Sequence, residues 1–291
     1  MDPDELYTLR TCYYLGHYTL ALEEGRNLSR RPMAKHLQRE RDDFISRSQI
    51  MLKKPLNSNA NQLLQVLNNV MNFYDANNKD DVVAQVEALL ASDGGGGDES
   101  STWNKLYASQ IFMWLGMTRE ALKCVHLGVT MEHLAMCLQI YIKLDRLDLA
   151  DQQWQMMKQG DEDATLTQLC GAILMTVSGK SRAEEAVYAY QTLSEQYGPS
   201  LMLLNGMIAA NMACGNFEAA EGQIEEAMDV ADGDNTADVL VNAVAVYQNL
   251  GKKDKVQSTV QALKLQHKDH PYVLALNTVE QAFQRVCAQY A

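Results

Sequence analysis

Two stretches of the sequence, GMTREALKCVHLG (residues 116–128) and GNFEAAEGQIEEA (residues 215–227), share one pattern. Each begins with Gly, has Ala five residues later, and places apolar or small residues four and seven positions beyond that Ala. Side chains at this spacing lie on one face of an α-helix. The pattern therefore predicts a helix that follows a tight turn and buries its Ala against a neighbouring helix, because small side chains let helices approach closely.

The pattern occurs six times along the chain, with Asp145 and Ser181 in place of the first Gly in two copies. Its central residue recurs at Ala21, Ala121, Ala150, Ala186, Ala220 and Val256, and the last five lie 29, 36, 34 and 36 residues apart. This period is close to the 34 residues of a tetratricopeptide helix–turn–helix repeat. We therefore predict an all-α fold, a curved tetratricopeptide-type α-solenoid that offers a surface to another chain.

The pattern also predicts how the chain is organised. We expect one solenoid over residues 1–291, with partly degenerate repeats in residues 1–91, a Gly-rich loop over 92–102, clearer repeats over 103–269 and a C-terminal helix over 271–290. Within the degenerate part, helices are predicted near Asp43–Leu52, Asn61–Tyr74 and Asp80–Ala91. The loop contains four consecutive Gly residues, which do not hold a helix. It could separate two parts of the chain, but a long surface loop within one solenoid is the preferred interpretation.

Composition and charge limit the function classes. The chain has 291 residues and a net charge of −12, from 37 acidic and 25 basic residues. An acidic surface repels phosphate, so neither nucleic acid nor a bare anionic membrane is expected as a direct partner. The first ten residues, MDPDELYTLR, lack the basic and apolar regions of a signal peptide, and a cytosolic protein is expected. The six Cys residues form no CxxC pair, which favours reduced thiols.

The search for catalytic and ligand-binding motifs favours a protein that is not an enzyme and has no cofactor or metal. SGKSR (residues 178–182) resembles a phosphate-binding loop, but Leu174 stands where that loop needs a second Gly. His267 and His270 have no Cys or third His nearby in the sequence, so a solvated turn before Pro271 is the preferred interpretation. The acids of residues 161–163 are explained by the preference of helix N-termini for negative charge. An enzyme built on a helical solenoid remains an alternative without candidate catalytic residues.

The register of the Ala positions selects the residues of each first helix that face the groove. The predicted partner-binding residues are Gln110, Met113, Gln139, Ile142, Met202, Asn205, Ala209, Met212, Val241 and Ala245. The same register places Trp103, Trp114 and Glu132 on this side, although Trp103, Met113 and Trp114 could instead belong to the core between repeats. The lining is apolar with scattered amides, so an adaptor that clamps a terminal carboxylate is not favoured.

Several strings closely resemble the epsilon-subunit family of coatomer, the coat of COPI vesicles. They are KLDRLDLA (143–150), DEDATLTQL (161–169), LLNG (203–206), FEAAEG (217–222) and the closing QYA (289–291). The opening LYTLRTCYYLGHY (6–18) is similar to the first helix pair of that family. The similarity is dense from about residue 105 onward and looser over residues 30–101, where the Gly94–Gly97 tract departs from the family pattern.

This resemblance implies a non-enzymatic coat component. Family members are tetratricopeptide solenoids that enclose a projecting part of the C-terminal domain of the coatomer alpha subunit. They support transport from the Golgi to the endoplasmic reticulum and within the Golgi. The resemblance therefore implies the alpha subunit as direct partner, other coatomer subunits as indirect partners, and membrane contact only through the coat, on the Golgi and on COPI vesicles. The alternative is a cytosolic tetratricopeptide adaptor with a different partner.

Overall fold

The described part of the computed structural model covers residues 4–57, 59–73, 78–92, 99–128, 130–230 and 236–290. These residues form sixteen α-helices and no strand. The fold is an all-α solenoid of the tetratricopeptide type, as the repeat pattern predicts. The chain forms two compact units, Met1–Leu174 and Met175–Ala291.

The described residues of the first unit form nine complete helices. They are α1 (Tyr7–Tyr14), α2 (Tyr18–Leu28), α3 (Lys35–Met51), α4 (Gln62–Phe73), α5 (Lys79–Ser92), α6 (Glu99–Trp114), α7 (Thr118–Val125), α8 (Met131–Lys143) and α9 (Leu147–Gly160). Each helix packs on the next one along the chain or on the one after it: α6, for example, contacts both α7 and α8. This nearest-neighbour packing is the mark of a solenoid.

The second unit continues the series. Helix α10 (Thr165–Val177) runs across the division between the units. It is followed by α11 (Lys180–Tyr197), α12 (Leu201–Cys214), α13 (Phe217–Val230), α14 (Ala237–Asn249), α15 (Lys253–Gln266) and α16 (Pro271–Tyr290). Helix α12 contacts α11, α13 and α14, so the neighbour packing of the first unit recurs here.

The helices of the degenerate region differ in part from the prediction. Helix α3 begins at Lys35, eight residues before the predicted start at Asp43, because this charged stretch shows little apolar periodicity. Helices α4 and α5 lie close to the predicted ranges, with Tyr74 outside the described residues. The predicted loop over 92–102 is too long, since α5 includes Ser92 and α6 already begins at Glu99. Residues 93–98 lie outside the described part of the chain.

The Gly that opens each repeat pattern has a geometric explanation. Gly16, Gly116, Asp145, Gly215 and Gly251 all have positive φ, and each follows the first helix of a contacting pair. At each turn the following N–H donates to the carbonyl five residues earlier, as Met117 does to Phe112 at 2.8 Å. This is the Schellman motif, which satisfies the last carbonyls of a helix. The five turns therefore use one device to reverse the chain.

The structure tests the two residues predicted to stand in for Gly in the repeat pattern. Asp145 has φ of +56°, so it takes the left-handed conformation that Asp tolerates better than most residues. The assignment of Ser181 is wrong: it lies inside α11, and the positive φ belongs to Gly179, two residues earlier. Gly179 lies seven residues before Ala186 and not five, so an insertion of two residues near residues 178–179 explains the shift.

Large side chains of second helices pack against Gly residues of the next helix. The Trp154 ring lies against Gly171, and the Tyr190 ring lies against Gly206. A Cβ atom added at Gly206 would lie 2.6 Å from the Tyr190 ring, and one added at Gly171 would lie 2.8 Å from Trp154 Nε1. The LLNG string thus has a packing role, because its Gly makes room for a tyrosine ring.

We expect Gly206→Ala to destabilise the protein, although Ala is the better helix former. The new methyl group overlaps the Tyr190 ring, which should lower the free energy of unfolding by about 1–3 kcal/mol. Gly222→Ala is the matched control, because no atom lies within 4 Å of its added Cβ. This control should gain about 0.5–1 kcal/mol from helix propensity. Chemical denaturation would measure both, and equal gains for the two variants would contradict the packing described here.

Candidate partner-binding surface

Six of the ten predicted partner-binding residues lie together in the second unit. Met202, Asn205, Ala209 and Met212 follow one another at intervals of three and four residues along α12, so they share one face. Val241 and Ala245 lie one turn apart on α14, which packs on α12. All six side chains are half-buried, neither lost in the core nor fully exposed. We call these six residues, with Asn242, the α12–α14 surface.

An amide pair joins the two helices at this surface. Asn242 Nδ2 donates to Asn205 Oδ1 at 2.8 Å, and both side chains are half-buried. Within the described part of the chain, neither amide makes another side-chain hydrogen bond. The pair therefore retains a donor on Asn205 and an acceptor on Asn242, which matches the acceptor and donor of a peptide backbone. The sequence of α12 contains no charged residue.

The other four predicted residues lie in the first unit and are less uniform. Gln110 and Met113 on α6 and Ile142 on α8 are half-buried, while Gln139 is exposed. Met113 packs against the core formed by α4, α6 and α8, and Ile142 packs against the core around Leu138. These two residues therefore contribute to the edge of the core as well as to the surface.

Trp103 and Trp114 lie in different environments in the structure. Trp103 packs against the same core as Met113, whereas the Trp114 side chain is largely exposed. The core role considered for Trp103 is therefore the one observed, and the core role considered for Trp114 is wrong.

Glu132 does not face an open groove. Arg47 on α3 forms a bidentate ion pair with it, at 3.2 Å from Nη1 to Oε1 and 2.8 Å from Nη2 to Oε2. Tyr14 on α1 donates its hydroxyl to Glu132 Oε1 at 2.7 Å. Only 4% of Arg47 and 7% of Glu132 is exposed. The first and third helices of the chain therefore cover the predicted groove side of α8 at its N-terminal end, around Glu132.

Aromatic rings complete this buried cluster, which we call the Arg47 cluster. The Arg47 guanidinium carbon lies 4.4 Å from the Tyr13 ring centroid, 4.7 Å from that of Phe44 and 5.8 Å from that of Tyr107. The Tyr107 hydroxyl donates to Asp43 Oδ2 at 2.9 Å. Four helices, α1, α3, α6 and α8, thus meet through side chains that are up to 118 residues apart along the chain.

Charge and burial oppose each other in this cluster. Burial is the largest single effect and lowers the pKa of Arg47, but Glu132, Tyr13 and Tyr107 together raise it well above its usual value, so the guanidinium stays charged. Burial raises the pKa of Tyr14 well above its usual value, and the charge of Glu132 adds to the effect. Both groups keep their protons, so both continue to donate to Glu132. Arg47 Nε is buried without a hydrogen-bond partner among the described residues, which leaves the guanidinium incompletely satisfied.

The described residues offer neither a metal-binding cluster nor a membrane-spanning helix. They contain no group of three or more His, Cys, Asp or Glu side chains placed to hold a metal ion. No helix among them is both long enough and apolar enough to cross a membrane.

Comparison with known proteins identifies the family. The model of the coatomer epsilon subunit family matches residues 2–291, almost the whole chain. The chain belongs to the coatomer epsilon subunit family. It is 33% identical to coatomer subunit epsilon-2 of Oryza sativa subsp. japonica, over 98% of this chain and 97% of the relative. It is 33% identical to epsilon-1 of Arabidopsis thaliana, over 99% and 98%, and 27% identical to the epsilon subunit of Dictyostelium discoideum, over 98% of each.

Solved structures support the fold class of this epsilon-family chain. A tetratricopeptide repeat protein from Parabacteroides merdae aligns with a TM-score of 0.58 at 14% identity, covering 94% of this chain and 95% of that protein. A chain of the APC/C hetero-tetramer Cut9–Hcn1 aligns with a TM-score of 0.55 at 12% identity, covering 98% of this chain and 58% of that one. At such low identity the likeness shows the fold alone.

The strings that resemble the epsilon family lie at structural positions of this fold. KLDRLDLA spans the turn at Asp145, and DEDATLTQL begins where Asp161 accepts hydrogen bonds from the N–H groups of Asp163 and Ala164, at 3.0 and 3.1 Å. In FEAAEG, Ala220 is completely buried. These motifs therefore maintain turns and contacts between helices, and they do not by themselves mark a binding site.

The C-terminal helix α16 carries an apolar surface stripe that the repeat pattern does not predict. Its N-terminal end packs through Val273, which is 1% exposed, whereas Phe283 is 69% exposed. Leu276, Val279, Phe283, Val286 and Tyr290 recur at intervals of three and four residues and form an apolar stripe. That spacing was the available signal, since it places all five on one helix face.

We expect Glu132→Ala to destabilise the protein strongly, because it leaves the buried charge of Arg47 without a partner. Loss of one member of a buried ion pair typically costs about 3–5 kcal/mol. The double variant Arg47→Met/Glu132→Leu removes both charges and should recover most of this loss. Urea unfolding of the single and double variants measures the difference. A single variant within 1 kcal/mol of the unchanged protein would show that the cluster carries little energy.

Asp43 should make stability depend on pH. Burial raises the pKa of Asp43 to about 6, although the Tyr107 hydrogen bond and the charge of Arg47 oppose the rise. The unfolded chain loses this proton near pH 4, so between about pH 4 and 6 the folded state binds more protons and stability falls as pH rises.

Asp43→Asn removes this titration and keeps an oxygen that accepts from Tyr107. Its gain in unfolding free energy should be near zero at about pH 3.5, below both pKa values, and about 1–3 kcal/mol at pH 7.5. Denaturation of both proteins across this range tests the expectation, and a gain that does not change with pH would contradict it.

Proposed function

We propose that this epsilon-family chain is a non-catalytic structural subunit of the COPI coat that binds the C-terminal domain of the coatomer alpha subunit through the α12–α14 surface. The observation that carries the proposal is the half-buried face of α12 and α14 with its Asn205–Asn242 pair. Family membership supports the coat role, because the relatives are named as coatomer epsilon subunits.

The chemistry of the surface suits an ordered segment of another protein. Met202, Ala209, Met212 and Val241 supply apolar area, and methionine side chains adapt to irregular partners. The free donor and acceptor of the amide pair would satisfy one peptide group of a segment lying between the helices. Interfaces of this kind gain affinity from a desolvated apolar centre, with polar groups satisfied within it.

The proposed coat role specifies where the protein acts and disfavours direct binding to membrane lipids and nucleic acid. As a coat subunit the protein would act on the cytosolic face of Golgi membranes and on COPI vesicles, in retrieval to the endoplasmic reticulum and in transport within the Golgi. Its contact with the membrane would be indirect, through other coatomer subunits. The net charge of −12 supports this arrangement, since it disfavours direct binding to anionic lipids or nucleic acid.

Co-expression with the C-terminal domain of the alpha subunit from the same organism tests the proposal, with size exclusion at moderate salt as the readout. Met212→Arg and Ala209→Arg should each weaken the complex at least about tenfold, because a charge in a desolvated interface is costly. Ala219→Arg is the matched control, since Ala219 is exposed on α13 and lies outside the α12–α14 surface. It should bind like the unchanged protein.

Circular dichroism would verify that each variant keeps its helices. A folded Met212→Arg protein with unchanged affinity would place the binding site elsewhere on the chain. Separate elution of the two unchanged proteins would instead favour a tetratricopeptide adaptor with another partner. The uncharged α12 predicts that alpha-subunit binding depends little on salt, whereas an adaptor for a charged tail would lose affinity steeply as salt rises.

A further inference from the structure

The corner between α2 and α3 carries an isolated group of positive charges. Residues 26–39 contain no Asp or Glu, in a chain with 37 acidic and 25 basic residues. Their cationic side chains are those of Arg26, Arg30, Arg31, Lys35 and Arg39, with His36 among them. All six are exposed. We call these six residues the basic corner.

The cations of the basic corner are not neutralised within the described part of the chain. None of its five Lys and Arg side chains forms an ion pair there. The acids just beyond it on α3 are already engaged: Glu40 pairs with Arg10 at 2.7 Å, and Asp42 pairs with Arg41 at 2.7 Å. The fold therefore neutralises the neighbouring cations and leaves those of the corner free to meet another molecule.

Helix stability does not account for the two cations on α3, although Arg26 is favourably placed in the last turn of α2. Lys35 is the first residue of α3, whose first turn has no acidic residue, so its charge faces the positive end of the helix dipole. Lys35 and Arg39 are four residues apart on one face, and like charges at this spacing are mildly destabilising. A bound anion would remove both unfavourable effects.

We propose that the basic corner binds a short acidic segment of another protein. The remainder of the chain is strongly acidic, since five basic residues of the corner leave 20 basic and 37 acidic residues elsewhere. An extended polyanion such as a membrane or a nucleic acid would reach beyond the corner and meet this negative charge. A segment of a few residues stays within about one Debye length, roughly 8 Å, of the corner.

Helix geometry indicates the spacing of the acids. Lys35 and Arg39 are separated by four residues of α3, a rise of about 6 Å. Alternate residues of an extended chain point to the same side at intervals of about 6.6 Å. A segment in extended conformation with Asp or Glu at alternate positions therefore presents its carboxylates at nearly the spacing of these two cations. This site is separate from the proposed alpha-subunit surface, so the two proposals can fail independently.

A labelled peptide provides the test. The probe is an eight-residue peptide of alternating Glu and Ser with a fluorescein label, and its control replaces Glu with Gln. Fluorescence anisotropy with the full chain should show binding of the Glu peptide that weakens between 50 and 150 mM NaCl, as the stated Debye screening requires. Lys35→Gln/Arg39→Gln should lower the affinity about fivefold or more, the effect of two weak surface ion pairs.

A second pair of cations is the matched control. Arg119 and Lys123 lie four residues apart on α7 and are exposed, like Lys35 and Arg39 on α3. Arg119→Gln/Lys123→Gln should keep the affinity within about twofold, less than the loss of one surface ion pair. Equal losses in the two double variants, or equal binding of the Glu and Gln peptides, would overturn the proposal.

Vesicles of phosphatidylcholine with 20 mol% phosphatidylserine form the last arm of the test. Co-sedimentation of the full chain with these vesicles should be weak, because most of its surface is acidic. Strong binding that is lost in Lys35→Gln/Arg39→Gln, without binding of the Glu peptide, would assign the corner to a membrane and overturn the assignment to a protein segment.

Discussion

Successive repeats pack closely because one helix carries Gly at the point of contact. Gly has no side chain, so a large ring of the neighbouring helix can lie directly against the backbone. Trp154 lies against Gly171 and Tyr190 against Gly206, so the two bulkiest groups of these second helices fit only because the next first helix is bare at that point. These rings fill the space between repeats. In the second unit, the rest of the α12 face carries small, apolar and amide side chains that are only half-buried, and with Val241, Asn242 and Ala245 of α14 these form the α12–α14 surface.

The sequence predicts the regular repeats well because their requirements are local. Each repeat requires a buried Ala, a residue with positive φ and a turn of fixed length. These requirements fix residue types within about a dozen positions, so even Asp145 can be identified by its position in the pattern. The same pattern predicts the wrong residue at Ser181, because two extra residues place the turn at Gly179. It also fails over α3, whose many charges hide the apolar face that packs through Phe44 and Ile50.

The candidate site could be predicted only in part, and Glu132 shows why. The position of Glu132 on α8 follows from the register of the Ala residues. Its partner Arg47 is 85 residues away in the sequence, and no local sequence pattern near either residue predicts the contact. A negative charge in the first turn of a helix is already explained by the dipole, so it gives no hint of a buried ion pair. A register gives the direction in which a side chain points, and it cannot show whether the same chain comes back to cover it.

The length of α16 has a consequence for the rates at which a partner joins and leaves. Beyond Val273 the helix is held almost entirely by its own backbone hydrogen bonds, because all its residues from Thr278 onward are exposed. Short helices without tertiary support fray readily in water. Any molecule that covers the apolar stripe must therefore order this segment as it binds, and the entropy lost offsets part of the contact energy. Ordering on binding lowers the affinity gained per unit of contact area, so a partner on this stripe would leave more readily than its contact area alone suggests.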